Sequence, residues 1–180
     1  CRMCNGYNST KIAAENEKLM EKDTSYREFM KKMGTDSVAK IPRWYEAESF
    51  WEEVKGMVPT LRKVYLTGGE PTLIKRNLEF LKYCVETGHS KHIFLMFNIN
   101  GTTLTDEFLQ FLPFFEFVLI NVSIDGYGPL NSYIRNGSDW SVIDKNLRRL
   151  LQLKGPIKIG ITPTIQIYNI FGLDRLLEYV

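Results

Sequence analysis

The sequence predicts an α/β fold built on parallel strands, and three observations carry that prediction. From about residue 46 onward, short runs rich in β-branched and aromatic residues alternate with amphipathic helical stretches. The runs at 93–97 and 117–120 are entirely apolar, as in strands of a sheet whose outer face is covered by helices. Small and polar residues follow the strands, at the edge where barrels and doubly wound sheets bind ligands. Either of these two architectures satisfies the pattern.

The first regular element after residue 45 is a helix. Its apolar residues recur at helical spacing on one face, namely Ala47, Phe50, Trp51, Val54, Met57 and Val58. Pro59 closes this helix, and the β-rich run at 63–67 is then broken by Gly68-Gly69. A second helix ends at Gly88, and its apolar face carries Ile74, Leu78, Leu81, Cys84 and Val85.

The alternation of strands and helices continues to the end of the chain. In order, we predict a strand at 92–97, a helix at 106–112, a strand at 117–123, a helix at 140–153, a strand at 157–167 and a last helix with Asn169 as its N-cap. Before residue 46 the chain is polar and rich in charge. There we expect one solvated surface helix over residues 10–33.

Composition excludes several classes of protein. The 180 residues, 44% of them hydrophobic, suffice for the core of one domain. The balance of 23 basic and 21 acidic residues lacks the basic excess of a nucleic-acid binder. Three cysteines are too few for a disulfide scaffold. The longest apolar stretch is interrupted by Pro113, Glu116 and Asn121, so we expect no membrane-spanning helix.

The two ends of the chain suggest a segment of a longer protein. The first residue is Cys1 rather than methionine, and Val180 falls inside a predicted helix. We therefore expect chain on both sides of this segment, and an upstream signal peptide is compatible with the sequence.

Polar residues gather at the carboxyl end of each predicted strand. The first strand ends in Thr67-Gly68-Gly69-Glu70-Pro71, the next in Asn98-Ile99-Asn100-Gly101 and the third in Ser123-Ile124-Asp125-Gly126; the fourth carries Thr162, Thr164 and Gln166. Asn-Gly and Asp-Gly are also common turn dipeptides. Glu70 is different, since no turn requires a carboxylate there. The two glycines admit a ligand close to the backbone, Glu70 would meet a cationic group, and Pro71 would start the next helix.

The pair Cys1-Arg2-Met3-Cys4 admits three interpretations: a redox dithiol, half of a zinc site, or part of an iron–sulfur site. The loop-like residues that follow disfavour a redox dithiol, which requires an immediate helix. A zinc site would need further ligands from Cys84, His89 or His92. We interpret Cys84 as a small buried hydrophobe and both histidines as surface residues.

Taken together, the cysteine pair, Gly-Gly-Glu-Pro, Asn-x-Asn-Gly and Ser-Ile-Asp-Gly resemble, in that chain order, the radical SAM superfamily. The similarity is greatest to its peptide-modifying and twitch/SPASM-type branches. The resemblance covers almost the whole chain. It implies a partial (β/α)6 TIM-like barrel, of which this segment holds the second to fifth strands, with the first and last units missing.

The resemblance also implies roles for individual residues. Cys1 and Cys4 match the second and third cysteines of a Cys-x3-Cys-x2-Cys loop that holds a [4Fe–4S] cluster. The first of these cysteines would lie four residues before Cys1, outside this sequence. Met3 would take the place of the usually aromatic residue beside the adenine of S-adenosylmethionine. The remaining implied cofactor-binding residues are Gly68, Gly69, Glu70 and Pro71 at its amino group, Asn98 and Asn100 at its amino-acid end, Ser123 at its ribose, Asp125 at the same strand exit and Arg135 at its carboxylate.

The function so implied is that of a radical SAM enzyme core, one domain over residues 1–180. It would use a [4Fe–4S] cluster, S-adenosylmethionine and a reducing electron donor to generate a 5′-deoxyadenosyl radical. The branch similarity implies a peptide or protein substrate, and oxygen sensitivity of the cluster implies a cytoplasmic location. From the charge balance and the interrupted apolar stretch we expect no nucleic-acid or membrane partner. Residues 5–45 would be a polar insertion after the cluster loop. Two alternatives stay open: a non-catalytic barrel that binds a nucleotide-like ligand, and a structural zinc protein.

Overall fold

A computed structural model of the chain describes residues 10–35 and 44–180. The chain divides into two units, Cys1–Trp44 and Tyr45–Val180. Cys1, Met3 and Cys4 lie outside the described residues. Within the described ranges, no helix is long and apolar enough to cross a membrane.

The described part of the first unit forms two helices where the sequence predicted one. Helix α1 runs over Thr10–Lys22 and helix α2 over Thr24–Lys32. The break falls at Asp23, whose backbone is extended and whose carboxylate accepts a hydrogen bond from the Tyr26 amide at 3.0 Å. An aspartate in this position starts a new helix, because it satisfies an amide that the helix leaves unpaired. The prediction of a single helix was therefore wrong.

The second unit alternates helices with four strands. Its elements are α3 Glu48–Met57, β1 Lys63–Leu66, α4 Lys75–Glu86, β2 Phe94–Ile99, α5 Asp106–Leu109, β3 Phe117–Val122, α6 Pro129–Ile134, α7 Trp140–Leu151, β4 Ile157–Ile161 and α8 Leu173–Tyr179. The strands pair in the order β1-β2-β3-β4, and every pair is parallel. This confirms the predicted α/β class with parallel strands. The full six-unit barrel stays a prediction.

The core lies on one face of this sheet. Burial alternates strictly along β2 and β3, so that Leu95, Phe97 and Ile99 are buried and their neighbours are half-buried. Helices α4 and α7 cover the buried face with Phe80, Leu81, Cys84, Ile143, Leu147 and Leu150. The opposite face, here called the open face, carries Phe94, Met96, Asn98, Phe117, Leu119 and Asn121. The apolar strand runs therefore have one covered face, as the sequence predicted.

The fourth strand is shorter than predicted, because it ends at Ile161 rather than at residue 167. Pro163 has no amide to donate to a sheet. Beyond it, the amide of Thr164 donates to the carboxylate of Asp125 and that of Gln166 to the side chain of Asn169, each at 2.8 Å. These two amides therefore donate to side chains, and not to the backbone carbonyls of a neighbouring strand.

Two helical predictions also need correction. The helix expected at 106–112 is a single turn, α5, and a separate 3-10 turn follows it at Leu112–Phe114. Helix α6 was not predicted, because its six residues are too few to show a helical period. It begins with Pro129 after Gly128, whose φ of 60° is an angle that glycine adopts without strain.

Candidate functional site

The carboxyl end of β1 turns on two exposed glycines. Gly68 has a φ of 97°, a left-handed conformation that other residues adopt only with strain. A Cβ built on Gly68 or Gly69 would meet no atom within 4 Å, so the backbone is bare on its outer side. Pro71 is buried and begins one 3-10 turn, Pro71–Leu73, rather than the long helix, which starts at Lys75. The turn thus leaves a stretch of accessible backbone directly before Glu70.

Glu70 is held between the ends of β1 and β2. Its Oε2 accepts a hydrogen bond from the Asn100 amide at 2.8 Å, and its Oε1 accepts one from the Thr72 hydroxyl at 2.9 Å. Burial raises the pKa of this carboxyl above its ordinary value, although the hydrogen bonds from Asn100 and Thr72 act in the opposite direction. No lysine or arginine of the described ranges forms an ion pair with it. Glu70 is therefore an oriented carboxylate whose negative charge is incompletely compensated.

Asn100 contributes to this arrangement through its backbone. Its side-chain oxygen is occupied by its own turn, where it accepts hydrogen bonds from the amide and the hydroxyl of Thr102 at 2.7 and 2.6 Å. The turn is closed by Gly101, which has a φ of 76°. The Asn-Gly pair is thus both a turn and part of the Glu70 environment. The two interpretations of this dipeptide are compatible.

A row of polar side chains crosses the open face of the sheet just below this edge. Asn121 donates to the side-chain oxygen of Asn98 at 3.1 Å, and Asn98 donates to the hydroxyl of Tyr65 at 2.9 Å. In the strand register, Asn98 lies opposite Asn121, and Asn121 lies opposite Gly160. The row therefore spans β1, β2 and β3 and ends over a glycine on β4.

Sequence reasoning selected Asn98 but missed Tyr65, Asn121 and Gly160. A signal was available, because Asn98 and Asn121 each occupy the fifth position of a six-residue strand, one residue before its end. Parallel strands aligned at their carboxyl ends would have placed the two amides side by side. The glycine could not have been found in this way, since its role depends on where the Asn121 side chain points.

The side chain of Asn121 fits over Gly160 only because glycine has no side chain. A Cβ at this position would lie 2.9 Å from the side-chain oxygen of Asn121. We expect Gly160→Ala to turn Asn121 away from Asn98 while changing the free energy of unfolding by less than about 1 kcal/mol. One hydrogen bond is lost, but the unfolded chain also loses entropy. Side-chain amide resonances of Asn98 and Asn121 measure the displacement.

The matched control for Gly160→Ala is Gly56→Ala. Gly56 lies in α3 with nothing within 4 Å of its would-be Cβ, so alanine should stabilise the helix by about 0.5–1 kcal/mol and leave both amide resonances in place. Unchanged Asn121 resonances in Gly160→Ala would show that the glycine does not determine the position of that side chain.

At the end of β3, Asp125 is completely buried. Its Oδ1 accepts the Thr164 amide at 2.8 Å, and its Oδ2 lies 2.8 Å from Nε of Arg135. That contact is an ion pair, although the N–H is poorly aligned for a hydrogen bond. The Asp125 amide donates to Asn131 and its carbonyl accepts from Asn169. Asp125 thus joins the chain after β3, helix α6 and the chain after β4.

Asn169 is part of the same buried network. Its side chain donates to the carbonyls of Asp125 and Thr164, both at 2.8 Å, and accepts the Gln166 amide. The structure records no capping hydrogen bond from Asn169 to the helical turn that follows it. Asn169 thus occupies the N-cap position of the 3-10 turn Ile170–Gly172 rather than of the last helix, and its side chain does not cap that turn because it pairs with residues that precede it in the chain.

The other predicted residues fall into two groups. Ser123 is half-buried and its amide donates to the Ile99 carbonyl at 2.8 Å, at the edge shared with Glu70 and Asn98. The roles of Cys1, Met3 and Cys4 lie outside the described residues. Within 10–35 and 44–180, no three histidine, cysteine or acidic residues come together as a metal site.

Cys84 is buried as predicted, and burial raises the pKa of its thiol to about 12. A thiol with so high a pKa is protonated at neutral pH and is a poor metal ligand. His92 is exposed and His89 half-buried, both at the turn before β2 and away from the carboxyl edge. These three residues therefore stay outside the candidate site.

Comparison with known proteins adds to this geometry. Residues 1–169 match the family model described as the Radical SAM superfamily. A search of curated proteins found no match.

Two solved structures have a similar fold. One is described as a histidine-tagged anSMEcpe with bound AdoMet, with a TM-score of 0.56 and 20% identity over 71% of this chain and 38% of that chain. The other is described as Streptococcus suis SuiB bound to S-adenosylmethionine, with a TM-score of 0.53 and 16% identity over 72% of this chain and 30% of that chain. At these identities the likeness shows the fold alone.

Proposed function

The chain belongs to the radical SAM superfamily, and from that premise we propose that it is the core of an enzyme that cleaves S-adenosylmethionine reductively. The observation that carries the proposal is Glu70, an oriented carboxylate at the carboxyl edge of the sheet with no cation of the described residues beside it. The product would be a 5′-deoxyadenosyl radical that abstracts a hydrogen atom from a substrate.

The residues at this edge fit the amino-acid end of S-adenosylmethionine. Burial removes the water that would otherwise stabilise the negative charge of Glu70. An ammonium group beside the carboxylate would stabilise that charge in place of the water. The bare backbone of Gly68 and Gly69 lets that ammonium approach Glu70 without meeting a Cβ. We propose that Asn98 and Asn100 line the same end of the cofactor, that Ser123 lies by its ribose, and that Met3 lies beside its adenine.

The thiolates of Cys1 and Cys4 are the ligands that we propose for the [4Fe–4S] cluster, together with one cysteine before Cys1. When bound and reduced, such a cluster would supply the one electron that reductive cleavage of the sulfonium C–S bond to methionine requires. The protein's own contribution is to orient the cofactor through Glu70 and the polar edge.

Several finer points belong to the same proposal. We propose the twitch/SPASM-type branch, a complete (β/α)6 barrel beyond this segment, and a peptide or protein substrate. Residues 5–45 form a polar insertion after the cluster loop, and the oxygen-sensitive cluster requires a reducing compartment with an electron donor. These proposals are supported by the motifs at residues 1–4 and 68–71 and by the fold of the second unit.

Anaerobic reconstitution with iron and sulfide tests the function, using the protein extended upstream to include the cysteine proposed before Cys1. We expect about four irons and four sulfides per chain and, after addition of dithionite and S-adenosylmethionine, equal amounts of methionine and 5′-deoxyadenosine. Cys4→Ala should lose iron and cleavage, whereas Cys84→Ala should retain both. Zinc in place of iron would favour a structural zinc protein. Iron-free protein that binds the cofactor without cleaving it would favour a binding module.

A further inference from the structure

The loop that follows β2, residues 100–104, is hydrogen-bonded both to the surroundings of Glu70 and to helix α7. At Glu70, the Asn100 amide donates to Oε2 at 2.8 Å. The Thr72 hydroxyl lies 2.9 Å from Oε1 of Glu70 and 3.1 Å from the carbonyl oxygen of Thr103. The conformation of this loop therefore determines where the groups that orient Glu70 are placed.

Helix α7 holds the same loop through two side chains. Asn146 is buried, and its Nδ2 donates to the Gly101 carbonyl at 2.9 Å. Arg149 donates from Nη1 to the Leu104 carbonyl at 3.0 Å and to Oδ1 of Asn146 at 3.1 Å. Because a guanidinium only donates, it selects the amide oxygen of Asn146 and leaves the amide nitrogen for Gly101.

The loop has little room to shift at Gly101. A Cβ at this position would lie 3.1 Å from the side chain of Val122 and 3.4 Å from that of Ile143 in α7. The Gly101 carbonyl and the Asn100 amide belong to adjacent residues, and the peptide unit between them is planar. A displacement of the carbonyl therefore turns the amide that donates to Glu70.

We propose that Asn146 is a positioning residue for Glu70: by holding the Gly101 carbonyl it sets the direction of the Asn100 amide, and so the place of the carboxylate that meets the ammonium group of S-adenosylmethionine. Arg149 assists by orienting the Asn146 amide. This inference rests on the proposed function, which supplies the ligand. A merely structural Asn146 would satisfy the buried Gly101 carbonyl and have no effect on Glu70.

The pKa of the Glu70 carboxyl tests this coupling without any cofactor. The hydrogen bond from the Asn100 amide lowers that pKa because it stabilises the ionised form, and Thr72 is the other described residue that acts in this way. Asn146→Leu has a similar shape and no donor, so we expect it to raise the pKa of Glu70 above the wild-type value. Carboxyl-carbon NMR of the cluster-free protein over a pH series measures the change, with Glu70→Gln to assign the resonance.

Cofactor binding tests the consequence. In the reconstituted protein, Asn146→Leu should weaken binding of S-adenosylmethionine about fivefold, as expected for loss of one hydrogen bond. In the Glu70→Gln background the same substitution should have no further effect, because Asn146 acts through the Glu70 carboxylate. Equilibrium dialysis of the four proteins measures both statements.

Arg149→Met and Arg148→Met form a matched pair of variants on α7. The Arg149 side chain is 31% exposed, whereas that of Arg148 is 68% exposed and pairs with Asp144. Both variants should fold, so the test survives if Asn146→Leu does not. Arg149→Met should raise the pKa of Glu70 and weaken cofactor binding, and Arg148→Met should change neither.

The outcomes separate the two proposals. If Asn146→Leu and Arg149→Met change only thermal stability, the positioning role is wrong and the proposed function stands. Equal effects of Arg148→Met and Arg149→Met would also overturn the role, because they would reflect the charge of α7 as a whole. If the wild-type protein does not bind S-adenosylmethionine while the Glu70 pKa still responds to Asn146→Leu, the proposed function falls and the coupling of α7 to Glu70 stands.

Discussion

Glu70→Gln is expected to weaken binding of S-adenosylmethionine by about 10- to 100-fold while leaving the iron content of the protein unchanged. The amide preserves the local structure, because its oxygen still accepts the Asn100 amide and its nitrogen donates to the Thr72 hydroxyl, which retains the Thr103 carbonyl as an acceptor. Only the negative charge is lost. Equilibrium dialysis and iron analysis of the reconstituted protein measure the two quantities.

The same variant is expected to be at least as stable as wild type at neutral pH in the absence of ligand. Burial raises the folded-state pKa of Glu70 above the ordinary 4.5, so its contribution to stability is fully present at lower pH and is lost as pH rises through the folded-state pKa. The advantage of Glu70→Gln should therefore grow over that range and then level off. Urea unfolding at a series of pH values measures it.

Glu116→Gln is a suitable control, because Glu116 is an exposed carboxylate of the same unit. It should leave cofactor affinity unchanged and change the free energy of unfolding by less than about 0.5 kcal/mol. A destabilised Glu70→Gln variant with full cofactor affinity would show that Glu70 serves only to join the ends of β1 and β2.

Phe97→Ala is expected to lower the free energy of unfolding by about 3–5 kcal/mol. Phe97 is fully buried on the covered face of β2, and its ring packs edge-to-face on Phe108 with centroids 5.3 Å apart. Truncation removes apolar contacts and opens a cavity that the neighbouring strands are too constrained to fill. Urea unfolding of the apo protein measures the change.

Phe171→Ala provides the comparison for Phe97→Ala. This phenylalanine is 96% exposed after β4, so its loss should change the free energy of unfolding by less than about 0.5 kcal/mol. Equal effects of the two substitutions would mean that the covered face of the sheet is assigned incorrectly.

Much of the fold followed from local patterns. The apolar runs at β2 and β3 identified strands, and the helical spacing in α4 and α7 identified the residues that cover them, including Cys84 and Leu147. Such patterns are visible in the sequence because the buried residues of a strand or a helix recur at a fixed spacing. The predicted element boundaries were wrong where a single residue ends a helix or strand. Asp23 separates α1 from α2, and Pro163 follows the end of β4.

The candidate site was predictable to a lesser extent. Glu70 could be selected from sequence because no turn requires a carboxylate at that position. The sequence also selected Asp125 and Arg135, but not their pairing, since ten residues separate them and no periodic pattern connects them. In the structure the carboxylate of Asp125, which was expected to contact the cofactor, forms an internal ion pair with Arg135 instead.

The amino-acid sequence by itself determined the α/β class, the parallel sheet, the core and the set of polar residues at the strand ends, because each depends on contacts within one element or on composition. Only the tertiary structure decided which polar groups pair with one another, and so which are left to bind a ligand. Glu70 lacks a charged partner among the described residues, Asp125 is fully used, and Arg135 keeps its terminal nitrogens free of described partners. The physical reason is that these hydrogen bonds join residues that are distant in sequence, on different strands and loops, so no local sequence pattern predicts them.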